Sequence, residues 1–432
     1  MKQMTSDLAR KILPLARQYE IQEGWLKKRL ATLLPQFMKE TGFDMWLVMT
    51  DEQNEDPITK TLLPASMLNA RGKMVLMYIL QEDGTVLLES ISSPCGIENI
   101  YRNSWFNITD TDWKGKKMKR PTTTQLEYVR ELVEKYDPKT IGINIDRDYT
   151  YCDGLTAGNY LALKDALGEY ADRLKPATAL SIRWMETRIP EELAAYDGIV
   201  QLAHALIGEI FSPNYVTPGV TTVDELALAF SQRINDLGIK ESFTASCAVF
   251  RHGDPGMHNE GYVIQNGDIL HCDIGVDYLG LCTDTQQLAY ILKPGETEAP
   301  EGLRNAMKIG NRLQDIVIST FALGKTGNEA LKECRQKAIE EGIVPCVYCH
   351  PVGVFAHAPG PSVGLFSNQD STVHGQLEFH KDTNYALELN ATVEIPEWDN
   401  ETLMTCLETN IYFDGEKVHY MAERQTELIL IR

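Results

Sequence analysis

Acidic residues and histidines recur inside apolar stretches of the C-terminal half, at spacings that can gather them around a cation. The most informative stretch spans residues 267–290, where two apolar runs carrying Asp273 and Asp284 flank Asp277-Tyr-Leu-Gly280, a plausible hairpin turn. A turn centred between Tyr278 and Leu279 sets Asp273 opposite Asp284, and cross-strand partners on one face have Cβ atoms about 5 Å apart. Two carboxylates that close repel each other, and a cation bound between them removes the repulsion. The plain alternative is a pair of surface aspartates on an exposed hairpin. His350 and His357 lie seven residues apart in the apolar, Gly/Pro-rich segment 349–360. Neutral imidazole is a common metal ligand, although two histidines of this kind, taken alone, read equally as loop residues. Glu388 interrupts the strand-like run 384–390, and Glu408 does the same in 403–413. An isolated Glu inside an apolar strand is costly unless it is paired, metal-bound or turned outward from a half-buried strand.

These side chains need rigid elements to hold them. Residues 8–40 have apolar positions at helical spacing, and 45–49, 74–80 and 85–88 read as strands, the last two joined by Glu82-Asp83-Gly84. A helix is expected over 124–135 and a strand over 140–145. Strands alternating with helices give an α/β domain with a mixed sheet. Near residue 185 the texture changes. Pro190, followed by Glu191 and Glu192, opens a helix running to about Phe211. Thr221, with Asp224 three residues on, is placed to cap the next. After Asp236 the chain reads as strands and loops, broken by a helical stretch near 301–341. The expected division is 1–182 and 183–432.

The chain has 432 residues, a net charge of −20 and 43% apolar residues. The length suits two or three domains, and the composition suits packed cores. The acidic balance argues against nucleic-acid or anionic-membrane partners, which call for a basic surface. No apolar run reaches the length that spans a bilayer, and the first residues lack the hydrophobic core of a signal peptide. Nine scattered cysteines fit reduced thiols in a cytoplasm better than a disulfide framework. A periplasmic location, with the signal already removed, is the alternative.

In this order and spacing the motifs resemble the creatinase/aminopeptidase P/prolidase family of metallopeptidases. That family's pattern has a Gly-Asp strand entering Asp-x-Gly, a second Asp eleven residues later, His-x-x-Gly with a further His seven residues on, then two strand glutamates. Here these are Gly267-Asp268, Asp273, Asp284, His350 with Gly353, His357, Glu388 and Glu408. The resemblance covers the whole chain. It implies an α/β N-terminal creatinase-like domain followed by an α+β C-terminal pita-bread catalytic domain, acting as a homodimer. It implies two divalent ions, Mn or Zn with Co possible, on Asp273, Asp284, His350, Glu388 and Glu408. The ions would hold a bridging water that attacks a peptide or other small amide. Glu388 would accept the proton of that water, and His258 and His357 would face the substrate, with His252 a weaker alternative to His258.

The sequence departs from the family pattern around the ligands. Thr283-Asp-Thr-Gln-Gln287 stands where the pattern has Ser-Asp-x-Thr-Arg, and Glu388-Leu-Asn390 where it has Glu-Pro-Gly. These changes bear on Xaa-Pro specificity more than on metal binding. Glu394 is a rival to Glu388. Cys346-Val-Tyr-Cys349-His350 also matches a c-type haem attachment motif, a reading that leaves the carboxylates unexplained. A catalytically inactive binding protein on the same scaffold is the alternative of a different class.

Overall fold

The computed structural model describes residues 9–106 and 121–432. It divides into two compact units, one of residues 15–185 and one of residues 186–432 together with 9–14. The break falls at the end of helix α4 (Thr178–Glu186), three residues beyond the expected boundary.

In the first unit, α1 (Leu15–Thr41) precedes β1 (Met45–Asp51), β2 (Lys73–Leu80) and β3 (Val86–Ile91). Then come α2 (Gln125–Tyr136), β4 (Ile141–Ile143), α3 (Ala157–Leu167), β5 (Leu174–Pro176) and α4. The sheet order is β3-β2-β1-β4-β5. It is mixed, as the strand and helix alternation predicts: β1 pairs antiparallel with β2 and parallel with β4. Strands β1 and β2 are buried on both faces, so they read as continuous apolar runs. Helix α2 begins in a capping box, with the Thr124 hydroxyl accepting from Glu127 N and the Glu127 carboxylate accepting from Thr124 N.

The second unit opens with α5 (Pro190–Ile210), where Ile189 N donates to Glu192 at 2.9 Å. Helix α6 (Val223–Asp236) is capped by Thr222 with Glu225, one residue later than expected. Thr221 is committed elsewhere: its hydroxyl closes the preceding loop on Thr217 N and Tyr215 O. Strands β6 (Lys240–Glu241), β7 (Ser246–Arg251), β8 (Asp254–His258), β9 (Ile269–Ile274), β10 (Val276–Tyr278), β11 (Leu281–Cys282) and β12 (Thr285–Ile291) follow. The expected helical stretch is two helices, α7 (Glu301–Ile318) and α8 (Gly327–Glu340). The chain ends in β13 (Val344–Pro351), β14 (Thr383–Ile395), β15 (Glu401–Leu407), β16 (Asn410–Phe413), β17 (Val418–Tyr420) and β18 (Ile429–Ile431). One sheet runs β18-β12-β9-β7-β8, and another β13-β14-β16-β17 with β15 also on β14. A core of residues such as Leu303, Leu313, Leu331, Val347, Leu387 and Leu407 joins α7 and α8 to the second of these sheets.

The hairpin carrying the two aspartates turns one residue later than the sequence suggests. Leu279 and Gly280 both have positive φ (57° and 73°), the requirement of a two-residue primed turn. Gly280 meets that requirement without a Cβ penalty, whereas a Tyr278-Leu279 turn has no glycine to offer. The register therefore moves by two, and Asp273 pairs with Gln286 rather than Asp284. A shift of two keeps every side chain on its face, so Asp284 stays on the side of Asp273 as a diagonal neighbour. The ladder is interrupted beside Gly275, where a Cβ would lie 2.4 Å from the Thr283 carbonyl oxygen. Only glycine allows that approach.

Among the described residues no helix is long and apolar enough to cross a membrane. Among the described residues no cysteine is in a disulfide.

Candidate metal centre

Four carboxylates and an imidazole converge between the two larger sheets of the second unit. Asp273 comes from β9, and Asp284 from the break between β11 and β12. In β13 and β14, Tyr348 pairs with Glu388 and His350 with Ala386, which makes His350 and Glu388 diagonal neighbours on one face. Glu408 lies between β15 and β16, both of which pair with β14. Its N–H and C=O exchange 3.3 Å hydrogen bonds with Gln286 of β12. This main-chain link stitches the sheet of Asp273 to the sheet of Glu388.

His350 Nε2 lies 3.7 Å from Asp284 Oδ2, 3.7 Å from Glu388 Oε2 and 3.5 Å from Glu408 Oε1. Ligand atoms of Asp273, Asp284 and Glu408 lie within 4.8 Å of one another, as do those of His350, Glu388 and Glu408. His357 joins Asp284 and His350 in a third such group, with Nε2 3.8 Å from Asp284 Oδ2. Its side chain is 61% exposed, against 3% for His350, so it stands on the open side of the cluster. The Tyr348 ring lies tilted against His350, edge-on to His357 and tilted against Phe366, whose ring is partly exposed.

Electrostatics within the cluster follow from burial and crowding. Burial pushes Asp273 up to about 7. Burial and the charge of Asp273 push Glu388 up to about 8, against a hydrogen bond from Gln286 that favours its ionised form. Asp284 and Glu408 are held well above the carboxylate range by burial first, then by the neighbouring carboxylates. Burial and the neighbouring His357 hold His350 down at about 3, the neutral form a ligand needs. Burial also lowers His357.

Donors do not satisfy this cluster. Asp273 Oδ1, His350 Nε2 and both carboxylate oxygens of Glu408 are buried without a hydrogen-bond partner. Buried acceptors of this kind are normally paired, because leaving them unpaired costs about 1–3 kcal/mol each, more for charged groups. Oxygen-rich donors with one neutral imidazole are the set that hard and borderline divalent cations take. The residues present thus fit a divalent metal.

The remaining candidates separate clearly. Glu394 lies on the same strand as Glu388, but it is exposed and pairs with Thr402 in β15, away from the cluster. His258 is half-buried against Tyr262, with Nε2 at 3.0 Å from the Asp254 carbonyl, and is absent from the three ligand groups found among the described residues. His252 is partly exposed, 3.1 Å from Asp399 and stacked on Trp398. The haem motif fails on geometry: Cys346 and Cys349 alternate to opposite faces of β13, and Cys349 is packed in the hydrophobic core. The sequence marked Gln286 only as a departure from the family pattern and did not single out His271; the two are buried and bonded to each other at 2.9 Å. Their signal was a polar residue in each of two apolar strands.

Residues 196–400 match Metallopeptidase family M24. This region is an M24 metallopeptidase domain. The matched region holds Asp273, Asp284, His350, His357 and Glu388, and Glu408 follows eight residues after its end. A Mycoplasma pneumoniae protein provisionally named as an Xaa-Pro aminopeptidase is 24% identical over 214 residues. That stretch is 49% of this chain and 56% of the relative, so little more than half of the relative's length is spanned.

Solved structures resemble the whole molecule, M24 domain and N-terminal unit together. An X-Pro aminopeptidase from Thermotoga maritima superposes with a TM-score of 0.64 at 14% identity, covering 91% of this chain and 99% of its own. An Xaa-Pro dipeptidase from Bacillus anthracis gives 0.64 at 18% identity, covering 94% and 99%. These likenesses show the fold, an α/β N-terminal creatinase-like domain with a pita-bread domain after it. The N-terminal domain of the FACT complex subunit SPT16 from chickpea shares it, with a TM-score of 0.58 at 10% identity, covering 95% of this chain and 99% of its own. Function must therefore be argued from the site of the M24 domain rather than from the fold.

Proposed function

We propose that this chain is a metal-dependent peptidase that hydrolyses Xaa-Pro bonds, as an aminopeptidase or a dipeptidase. In this reading Asp273, Asp284, His350, Glu388 and Glu408 hold two divalent ions, manganese or zinc. The observation that carries it is the set of buried ligand atoms without hydrogen-bond donors, on Asp273, His350 and Glu408. The likeness to Xaa-Pro peptidases along nearly the whole chain supports the choice of substrate.

Bound divalent ions would supply an acidified water and polarise the scissile carbonyl. The protein's own groups do the rest. Glu388, buried in the cluster, takes the proton of the attacking water and passes it to the leaving nitrogen. His357, exposed on the open side beside His350, donates to the carbonyl oxygen as negative charge develops there. Tyr348 and Phe366 give that side an apolar wall against which a substrate side chain or ring can pack. His258 is assigned to the substrate side by the resemblance, and its Nε2 is held at the Asp254 carbonyl.

The test is incubation with Xaa-Pro dipeptides and longer Xaa-Pro peptides in saturating manganese or zinc. Release of the N-terminal residue is expected. Stoichiometric metal without cleavage of any Xaa-Pro bond would overturn the substrate assignment. It would favour a different small amide, the reading that the Gln286-Gln287 departure supports.

A further inference from the structure

We propose that Gln286 and His271 are positioning residues that set the geometry of the metal centre, a proposal that rests on the metal-binding reading above. Gln286 reaches three of the five candidate ligands. Its Cα is the cross-strand partner of Asp273. Its main chain exchanges both hydrogen bonds with Glu408. Its side-chain amide donates to Glu388 Oε1 at 2.7 Å, leaving Oε2 as the oxygen that faces His350 at 3.7 Å.

Hydrogen-bond valence fixes the arrangement. The Gln286 NH₂ faces Glu388 Oε1 at 2.7 Å, the contact that a carboxylate holding a cation can only accept, and the Gln286 carbonyl oxygen faces away. That oxygen lies 2.9 Å from His271 Nε2, so Nε2 carries the proton and His271 is the neutral Nε2–H tautomer. The other ring nitrogen, Nδ1, is buried without a partner, as this tautomer requires if it is not to bury an unpaired N–H. His271 and Asp273 project from the same face of β9, two residues apart, and the chain of bonds runs from His271 through Gln286 to Glu388, the ligand it orients. Gln286 alone could flip. With His271 donating to its oxygen, a flip would set NH₂ against N–H and oxygen against carboxylate, two repulsions in place of two bonds.

The experiment is cobalt(II) titration of the full-length chain, read by visible absorption and by the dissociation constant, for wild type, Gln286→Leu, His271→Leu and His271→Gln. Leu removes the amide at similar size, and Gln at position 271 keeps a donor where Nε2 stands. Gln286→Leu should weaken cobalt binding by about 10–100-fold, the usual cost of losing an outer partner of a metal ligand, and change the visible bands. His271→Leu should shift both in the same direction by a smaller factor, and His271→Gln should restore them. Wild-type affinity and spectrum in Gln286→Leu would overturn the proposal, as would His271→Gln behaving like His271→Leu. The two His271 variants decide the matter if Gln286→Leu does not fold. Absence of cobalt binding in the wild type would instead overturn the metal-centre reading itself.

Discussion

Asp56 and Glu408 are both buried acids, one in each unit of the chain, and they are treated in opposite ways. Asp56 is 1% exposed, yet its Oδ1 accepts from Ile58 N at 3.0 Å and its Oδ2 from Asn144 Nδ2 at 2.7 Å. Asn144 in turn accepts from Trp46 Nε1. Burial still pushes Asp56 up to about 6, but every oxygen has a donor. Glu408 is 3% exposed, has no donor on either oxygen, and faces the charges of Asp284, Glu388 and Asp273. A buried acid with its donors in place is a structural element. A buried acid without donors, among other acids, is arranged for a cation that the protein does not supply.

The comparison can be broken most directly at Glu408. Glu408→Gln should lower peptidase activity by roughly 1,000-fold or more, since several kcal/mol of transition-state stabilisation depends on the ions. In metal-free protein the same change should raise the melting temperature, because it removes one of four crowded carboxylates. Activity assay and thermal denaturation of the ion-free variant check the two signs. His357→Ala, on the open side, should cost about 10–1,000-fold in kcat, in the range of lost oxyanion donors, with metal content unchanged.

The pH dependence has a definite sign. Asp273 and Glu388 stand at about 7 and about 8 in the folded ion-free protein, above the roughly 4 of an unfolded chain. The folded state then holds protons that the unfolded state has lost, so ion-free stability falls as pH rises from about 4 to about 8. His350, at about 3 against roughly 6.5 unfolded, adds a loss of stability as pH falls between those values. Metal displaces the carboxylate protons, so the rise in melting temperature on adding manganese should be larger at pH 8 than at pH 6. An increment independent of pH would contradict this.

Asp56→Asn should behave oppositely to Glu408→Gln, lowering stability by about 1–3 kcal/mol through broken buried hydrogen bonds while leaving metal content unchanged. The smallest effect is expected at Glu394. Glu394→Gln, exposed on the same strand as Glu388, should leave activity and metal content as they were, and a large loss would mean that the ligand had been misplaced.

Much of this was legible in the residues. Apolar runs marked β1 and β2 because both faces of that sheet are covered, and Pro190 marked the first turn of α5. Asp273, Asp284, His350, Glu388 and Glu408 were legible as a set only through the order and spacing that resemble the metallopeptidase pattern, since each had a plain reading when taken alone. The hairpin register was not, because the turn position depends on which residues tolerate positive φ, and Leu279 accepts it beside Gly280. The helix cap slipped by one because Thr221 and Thr222 differ only in the partners that the fold brings to them. The roles of Gln286 and His271 were hidden for the same reason: a hydrogen bond between strands far from Glu388 in sequence leaves no local periodicity.

The central claim is that the carboxylate and histidine cluster is a divalent-metal centre, and metal analysis tests it most directly. After dialysis against manganese or zinc and removal of free ion, elemental analysis should find two ions per wild-type chain and a marked loss in Glu408→Gln. A wild-type chain that retains no ion under these conditions would contradict the account.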